Sequence, residues 1–239
     1  LMREAGKMLE EVHNKLADFV KPGISTLEID QFGEKAIRDL GCVPNFLNYN
    51  GYPASICVSV NDEVVHGIPS KDRILQDGDI VSLDAGLIHE GYHSDAARTH
   101  AVGNISEEAK RLIEVTKQSF FEGIKLAVPG NHLFDISEAI QKYVESNGYS
   151  VVRDLVGHGI GTHLHEDPQI PNFKQRRKGM KLRPGMTLAI EPMVNEGSYD
   201  VVWLDDDWTV VTEDGSLAAH YENTIVITED GCEILTLSE

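Results

Sequence analysis

Two aspartates, Asp84 and Asp95, lie on the two arms of a predicted β-hairpin. The arms are the β-rich runs Asp79–Ile88 and Gly91–Val102, and a turn at His89-Glu90 would pair Asp84 with Asp95. Two carboxylates directly opposite on one sheet face lie roughly 5 Å apart at Cβ and repel each other. Such a pair requires a raised pKa on one group or a cation between the two. The alternative is a register shifted by one residue, which would turn one aspartate to solvent.

Two glutamates occupy comparable strands later in the chain. Glu191 lies in the apolar run Thr187–Val194, and Glu222 lies in the run Tyr221–Thr228. An unpaired carboxylate in such surroundings is costly. Either glutamate alone could be a paired core acid. Four acids in similar strands favour a site that holds cations.

Three histidines stand near these acids or in motifs of their own. His158 lies in Gly157-His-Gly-Ile-Gly161, where the flanking glycines allow a close backbone approach. The G-x-G-x-x-G spacing of a nucleotide-binding loop is absent there. His165 follows seven residues later, and His66 ends a predicted strand. A single histidine of this kind is usually structural, so His66 and His165 gain significance only beside the carboxylates.

A weak internal repeat relates the two halves of the chain at an offset of 107 residues. The matching positions are Pro22-Gly23 with Pro129-Gly130, Gly41 with Gly148, Leu75 with Leu182, Gly78 with Gly185, and Asp84 with Glu191. A duplicated fold places equivalent strands about a pseudo-twofold axis. We therefore expect Asp84 and Glu191 to face each other near the centre of the molecule.

Each half is predicted to begin with two helices followed by strands. In the first half the second helix starts at the capping box Ser25-x-x-Glu28. In the second half one helix starts at Ser106 and ends before Pro129, and the next runs from about Leu133 to Gly148. The sequence therefore predicts an α+β fold made of two similar halves.

The composition bounds the domain organisation and the partners. A chain of 239 residues with 41% hydrophobic residues can bury a sizeable core, and no low-complexity linker interrupts it. We expect a single domain over residues 1–239, with halves of roughly 1–105 and 106–239. A net charge of −18 disfavours nucleic acids and anionic membranes as general partners. No membrane or signal segment is predicted, and three dispersed cysteines favour a reducing compartment, so we expect a cytoplasmic protein.

Together these residues resemble the type I methionine aminopeptidases of the creatinase/aminopeptidase, or pita-bread, superfamily. The resemblance covers essentially the whole chain and is carried by Asn61-Asp-Glu-Val-Val-His-Gly-Ile-Pro69, by Asp84 and Asp95, by Gly157-His-Gly-Ile-Gly161 with His165, by Ile190-Glu-Pro-Met193, and by Tyr221-Glu-Asn-Thr224. It implies a pita-bread fold, in which two pseudo-symmetric halves form a central antiparallel sheet flanked by helices. It also implies a catalytic domain that removes the N-terminal methionine from nascent proteins and peptides.

The resemblance further implies a dinuclear metal site. Its ligands would be Asp84, Asp95, His158, Glu191 and Glu222. An oxygen-rich site with one imidazole suits Co, Mn, Fe or Zn as divalent ions. Two such ions would activate a water for attack on the peptide bond. By the same resemblance Glu191 would carry a proton, and His165 would stabilise the tetrahedral oxyanion or contact the scissile amide. His66 would contact the substrate near the departing nitrogen.

The resemblance places a pocket for the methionine side chain beside these ligands. Its lining would be Tyr49, Tyr52, Cys57, Leu164 and Trp208, with Phe46 nearby. A thioether suits a pocket of aromatic rings and a soft sulfur. The alternative for each aromatic residue is an ordinary place in the core. Substrates are expected to carry a small second residue.

A basic segment stands out from the acidic background. Six of the 21 lysines and arginines fall within Lys174-Gln-Arg-Arg-Lys-Gly-Met-Lys-Leu-Arg183. One interpretation is a solvated loop. The other, which the resemblance suggests, is a surface that docks the enzyme on the ribosome near the nascent chain. Apart from such docking, we expect a monomer.

Two other functions are compatible with the same fold. One is an X-Pro peptidase of the prolidase or aminopeptidase P kind, which generally carries an additional N-terminal domain. The other is a binding protein that has lost catalysis, although members of that kind typically lack some of the ligands. Comparing cleavage of Met-Ala-Ser with cleavage of an X-Pro peptide distinguishes a methionine aminopeptidase from an X-Pro peptidase. The content of bound divalent ions distinguishes the enzyme from a binding protein.

Overall fold

The computed structural model describes residues 1–237, so the last two residues of the expected domain range 1–239 lie outside the described part. Residues 1–237 form four helices and fifteen strands, with a short 3₁₀ turn at Tyr49–Gly51. Two helices followed by a series of strands occur twice along the chain. The helices are α1 Met2–Phe19, α2 Thr26–Asp39, α3 Glu107–Ile124 and α4 Leu133–Ser146. The strands are β1 Val43–Pro44, β2 Ile56–Val60, β3 Glu63–Val65, β4 Ile80–His89, β5 Tyr92–Ala101, β6 Ser150–Val151, β7 Gly157–Gly159, β8 Glu166–Ile170, β9 Thr187–Ile190, β10 Met193–Asn195, β11 Val201–Trp203, β12 Val210–Thr212, β13 Ala218–His220, β14 Glu222–Ile227 and β15 Cys232–Ile234.

A nine-stranded antiparallel sheet forms the centre of the molecule. Its main path runs β1-β4-β5-β14-β9-β7-β8, while β2 also pairs with β4 and β15 with β14. Two smaller three-stranded sheets, β13-β10-β6 and β11-β12-β3, adjoin it. Strands from both halves of the chain thus share one sheet, which confirms the predicted α+β class with a central antiparallel sheet.

The helices cover one face of this sheet through two apolar cores. The first core joins α1 and α2 to inward-facing residues of β4 such as Leu83 and Ala85. The second joins α3 and α4 to β9 and β14 through residues such as Phe120 and Ile225. Successive residues of a strand point to opposite faces. Asp84, between Leu83 and Ala85, therefore points to the face that the helices leave open.

The predicted repeat appears as recurring backbone contacts. The N–H of Gly23 donates to the carbonyl of Leu75 at 2.8 Å, and the N–H of Gly130 donates to that of Leu182 at 3.1 Å. Both glycines have a φ of 90°, in the left-handed region that favours glycine. The helices α2 and α4 begin and end at the same offset of 107 residues. The two halves are therefore structurally equivalent around their Pro-Gly turns.

The predicted register of the central hairpin is wrong by two residues. The turn lies at Glu90-Gly91 instead of His89-Glu90, and Asp84 pairs with Ala97 instead of Asp95. Both turn residues have positive φ, 47° at Glu90 and 84° at Gly91. A two-residue turn of this type needs two positive φ values, and placing Gly91 second satisfies that need. A shift of two residues preserves the face, so Asp84 and Asp95 remain diagonal neighbours and neither turns to the helices or to open solvent.

The run Thr187–Val194 is not one continuous strand. It divides into β9 and β10 at Glu191-Pro192, and β10 leaves the main sheet to pair with β6 and β13. Proline lacks the N–H that a continuing ladder needs, so the strand breaks there. The break places Glu191 at the end of β9, free of ladder pairing.

Within the described residues, no helix combines the length and apolar character that crossing a membrane requires. The three cysteines, Cys42, Cys57 and Cys232, are free.

Candidate metal centre and substrate cavity

A single cross-strand row brings the predicted acids together on the open face of the sheet. Cys57 of β2 is opposite Asp84 of β4, Asp84 is opposite Ala97 of β5, and Ala97 is opposite Glu222 of β14. Residues directly opposite in an antiparallel ladder share a face. Asp95 lies two residues before Ala97 on the same strand and therefore on the same face. The small side chain of Ala97 leaves the space between the carboxylates open.

His158 and Glu191 approach this row from the other side. His158 of β7 is opposite Ala189 of β9, and Glu191 follows two residues later. The His158 Nε2 atom lies 3.5 Å from Glu191 Oε1 and 3.7 Å from Asp95 Oδ2. A Cβ atom at Gly157 would stand 2.4 Å from the Ala189 carbonyl oxygen. Glycine is therefore needed beside His158 for the strands to approach so closely.

Three of the carboxylates of the cluster each have a buried oxygen without a hydrogen-bond partner within the described residues. One oxygen each of Asp84, Asp95 and Glu222 is buried and accepts no hydrogen bond. The nearby guanidinium of Arg98 donates instead to neutral oxygens, namely the carbonyls of Ala97, Glu222 and Thr236 and the amide oxygen of Asn223. No lysine or arginine of the described chain therefore pairs with these acids, whose nearest ring nitrogens are those of His158 and His220.

Burial dominates the electrostatics of the acids. It raises the pKa of Asp84 to about 7 and raises the pKa of Asp95, Glu191 and Glu222 well above the usual range. Neighbouring carboxylates raise the last three further. Burial penalises the ionised forms, and cations placed among the acids would reverse that penalty.

The tautomer of His158 fits a metal ligand. Its Nδ1 atom lies 2.8 Å from the carbonyl oxygen of Gly159. A carbonyl only accepts, so Nδ1 carries the proton and Nε2 keeps its lone pair. Burial lowers the pKa of His158 to about 4, so the ring is neutral. A lone pair that faces two carboxylates is repelled by them unless a cation lies between, as in metal sites where the second ring nitrogen is held by a carbonyl.

The other two predicted histidines line the entrance to the centre. The ring of His165 lies 4.2 Å from that of His158, and its Nδ1 atom is 2.8 Å from the Tyr49 hydroxyl. His66 follows β3 with a φ of 60°, which is uncommon for a residue with a side chain and indicates a constrained position. Burial lowers the pKa of His66 to about 4 and also lowers that of His165. Both rings are therefore neutral hydrogen-bonding groups near neutral pH.

An apolar cavity of about 310 Å³ opens directly onto the acids. The six residues expected to form the side-chain pocket all line it: Phe46, Tyr49, Tyr52, Cys57, Leu164 and Trp208. Tyr52 donates its hydroxyl to the carbonyl of Gly67 at 2.8 Å, and its ring packs edge-on against Trp208. The structure therefore brings the predicted pocket, His66, His165 and all five predicted ligands to one cavity.

Some residues at the site escaped the sequence interpretation. The cavity is also lined by Asn50, Val65, Asp154, Leu155, Val156 and Met193. His220 is a further buried imidazole, close enough to Glu191 and Glu222 for the three to hold an ion. The spacing His220-x-Glu222 places both side chains on one face of an extended chain, and this signal could have identified the histidine.

Comparisons with known proteins agree with this geometry. The profile of the family described as metallopeptidase family M24 matches residues 1–229. A methionine aminopeptidase of Clostridium acetobutylicum is 58% identical over 238 residues, covering 100% of this chain and 95% of that relative.

Solved structures of peptidases share the fold of this chain. The crystal structure of a methionine aminopeptidase from Rickettsia prowazekii matches with a TM-score of 0.97 and 44% identity, covering 99% of this chain and 95% of that one. An Xaa-Pro dipeptidase from Bacillus anthracis matches with a TM-score of 0.80 and 25% identity, and only 60% of its chain is covered. The fold is therefore the pita-bread fold that the sequence resemblance implied.

Proposed function

We propose a mechanism from the premise that this chain belongs to metallopeptidase family M24 and is a methionine aminopeptidase. The observation that carries the proposal is the row of buried acids with unsatisfied oxygens, faced by the lone pair of His158 Nε2. This donor set suits hard or borderline divalent ions. An apolar cavity beside it can take a side chain of the size of methionine.

The metal centre would hold two divalent ions, drawn from Co, Mn, Fe or Zn. The proposed ligands are Asp84, Asp95, His158, Glu191 and Glu222. When bound, ions in such a site lower the pKa of a water and polarise the scissile carbonyl. The chain's own contribution is a rigid, largely buried frame, since each ligand sits on or directly beside a strand of the central sheet.

Proton transfer and oxyanion stabilisation would fall to the side chains around the centre. Glu191 combines a raised pKa with a place at the end of β9, so its carboxylate can take a proton from the attacking water and pass it to the departing amine. A Tyr49 O–H donated to Nδ1 of His165 leaves the ring proton on Nε2. That N–H can donate to the oxygen of the tetrahedral intermediate, while His66 contacts the amide nitrogen.

Selectivity for methionine would come from the cavity wall. Cys57 and Tyr52 both remain protonated, because burial raises the pKa of each group. A neutral thiol and aromatic rings favour a polarisable thioether over a charged side chain. The limited volume of the cavity favours a small second residue in the substrate.

A peptide panel tests this function. Purified enzyme loaded with each of the four metals is assayed on Met-Ala-Ser, Met-Phe-Ser, Leu-Ala-Ser and Ala-Pro-Ser. We expect cleavage of Met-Ala-Ser well above the other three. Preferred cleavage of Ala-Pro-Ser would assign the chain to X-Pro peptidases instead, and metal binding without any turnover would indicate a binding protein.

Replacing His165 by alanine tests the oxyanion contact. Losing one donor of this kind typically costs ~10²-fold in kcat, because the charge that develops in the transition state loses its hydrogen bond. Steady-state kinetics on Met-Ala-Ser measure the effect, with metal content checked in parallel. His163→Ala is a matched control, since that neighbouring histidine is exposed and its ring contacts the Thr162 hydroxyl and the Glu166 carboxylate and does not line the cavity. Equal kcat values for both variants would contradict the role of His165.

Metal stabilisation should increase with pH. The folded pKa of Asp84, about 7, lies above its ordinary value near 3.8, so the metal-free fold is stable while this acid is protonated and loses stability as pH rises from about 4 through about 7. Metal binding needs the ionised acids and releases their protons, so affinity rises over the same interval. We expect a divalent ion at a hundredfold excess over Kd to raise Tm by about 5–10 °C at pH 8. At the same ion concentration, the increase in Tm should be smaller at pH 5.5. Scanning calorimetry measures both increases, and a pH-independent increase would contradict this linkage.

The basic segment Lys174–Arg183 remains a candidate ribosome-docking surface. Its lysines and arginines are exposed, and Lys174 forms an ion pair with Glu138 of α4 at 2.5 Å. We expect the substitutions Arg176→Glu, Arg177→Glu and Lys178→Glu together to weaken co-sedimentation with ribosomes, because attraction to RNA phosphates depends on these charges. Peptide turnover should stay unchanged. Co-sedimentation equal to that of the unmodified enzyme would leave the solvated loop as the explanation.

A further inference from the structure

One buried imidazole beside the metal centre takes no part in the roles assigned to Glu191, His165 and His66. His220 is 1% exposed and ends β13, where it pairs with Met193 of β10. Its Nε2 atom is buried and has no hydrogen-bond partner within residues 1–237. An unsatisfied buried ring nitrogen is costly, so its position calls for a physical cause.

His220 stands behind the two glutamates of the centre. Its Nε2 atom lies 4.0 Å from Glu191 Oε2 and 3.8 Å from Glu222 Oε2. The other oxygen of Glu191, Oε1, faces His158 at 3.5 Å. His158 also approaches Asp95, whereas no ion pair joins His220 to either aspartate in the described part of the chain. The two imidazoles therefore address different oxygens of Glu191.

The backbone of His220 is firmly held. Its N–H donates to the Thr99 hydroxyl at 2.9 Å, and that hydroxyl donates back to the His220 carbonyl at 2.9 Å. The Ser82 hydroxyl lies 2.8 Å from Thr99 Oγ1 and completes the set as a donor. The next residue, Tyr221, points the opposite way and packs on Phe120. The backbone of His220 is thus held in place, and its ring faces the two glutamates.

Both glutamates need a donor at this side. Neither side chain accepts a hydrogen bond from any described residue, and Glu222 Oε1 is buried without a partner. A carboxylate that binds an ion through one oxygen is normally held by a hydrogen bond at the other. Within the described chain, His220 Nε2 is the side-chain nitrogen that lies within 4.0 Å of both Glu191 Oε2 and Glu222 Oε2.

We propose that His220 is a positioning residue of the metal centre. With ions bound, its Nε2–H would donate to Glu191 Oε2 and Glu222 Oε2, which lie 4.0 and 3.8 Å from it. In this role it orients both carboxylates so that their remaining oxygens point toward the ions. The inference rests on the proposed metal centre and adds a sixth residue to it. It differs from a ligand role, in which Nε2 would carry no proton.

Nitrogen NMR on the unaltered enzyme tests the protonation of Nε2 directly. With ¹⁵N-labelled histidine and Zn²⁺ bound, we expect His220 Nε2 to show the chemical shift and one-bond coupling of a protonated ring nitrogen. His158 Nε2 should instead show the shift of a metal-bound nitrogen. An unprotonated or metal-bound His220 Nε2 would overturn the proposal, and this measurement does not depend on any variant folding.

Metal affinity of variants provides the second test. Isothermal titration with Mn²⁺ should show His220→Leu binding about 10–100-fold more weakly than the unaltered enzyme, as is typical when a hydrogen bond to a metal ligand is removed. His220→Gln, which keeps an N–H donor, should recover most of that loss. His100→Gln is the control, because His100 of β5 also has a buried Nε2 without a hydrogen-bond partner in the described chain but lies outside the cavity. Unchanged affinity in His220→Leu, or equal losses in the leucine and glutamine variants, would overturn the role of His220. Absence of Mn²⁺ binding by the unaltered enzyme would instead refute the metal centre itself.

Discussion

Replacing Asp95 by asparagine is expected to lower kcat/KM on Met-Ala-Ser by at least ~10³-fold at moderate metal concentration. Asp95 lies at the middle of the cluster, within reach of His158 and diagonal to Asp84. The substitution keeps the size of the side chain but removes the charge that a divalent ion needs. If the ions supply about 4 kcal/mol of transition-state stabilisation, losing them costs about a thousandfold in rate.

The backbone around Asp95 should survive this change. Its N–H donates to the Thr224 hydroxyl at 3.1 Å, and that hydroxyl donates to the Asp95 carbonyl at 2.9 Å. Because burial raises the pKa of Asp95 well above the usual range, the neutral amide should even stabilise the metal-free fold. Calorimetry and metal analysis by mass spectrometry accompany the kinetics. Asp30→Asn is a matched control, since Asp30 is also buried but accepts the N–H groups of Ser55 and Ile56 outside the cavity.

Two results would contradict the assignment of Asp95. One is an Asp95→Asn variant that keeps full metal content and turnover. The other is an equal loss of turnover in Asp30→Asn, because the effect would then come from general destabilisation.

Replacing Glu191 by glutamine is expected to lower kcat by about 10³-fold with a much smaller change in KM. Removal of a general acid or base typically costs 10²–10⁴-fold. Glutamine can still offer an oxygen to an ion, so the protein should retain part of its metal. Excess metal should therefore fail to restore turnover in this variant, whereas it should partly restore Asp95→Asn. This difference separates a group that moves protons from one that only holds ions.

The control for Glu191 is Glu28→Gln. Glu28 accepts a hydrogen bond from the backbone N–H of Ser25 at 2.8 Å in the N-terminal cap of α2, outside the cavity. Its loss should therefore lower Tm and leave kcat unchanged. Single-turnover measurements with metal-saturated enzyme give kcat free of product release. A kcat within about tenfold of the unaltered enzyme, below the usual range for losing a general acid or base, would show that Glu191 carries no proton in the rate-limiting step.

Much of the architecture could be predicted from local patterns in the sequence. The capping box at Ser25 and Glu28 fixed the start of α2 correctly, and the Pro-Gly turns at the offset of 107 residues marked equivalent points of the two halves. These features depend on short-range hydrogen bonds and on backbone angles that few residues adopt, so they are visible locally. The predicted hairpin likewise placed Asp84 and Asp95 on a common face, although with a register two residues away from the one in the structure.

Register and long-range neighbours were decided by the tertiary structure. Alternation fixes the face of a strand but is unchanged by a shift of two residues, so the pairing of Asp84 with Ala97 depended on the turn geometry at Glu90-Gly91. The break at Pro192, which separates β9 from β10, was missed because apolar residues continue on both sides of Glu191-Pro192.

The amino-acid sequence identifies the residues that could carry the chemistry: acids in apolar strands, a histidine between glycines, and the motifs that resemble those of methionine aminopeptidases. The folded chain was needed to show that these residues meet on one open sheet face, beside one cavity, with His220 behind Glu191 and Glu222. Composition and periodicity act over a few residues, whereas the metal centre joins strands from both halves through pairings that only the folded sheet specifies.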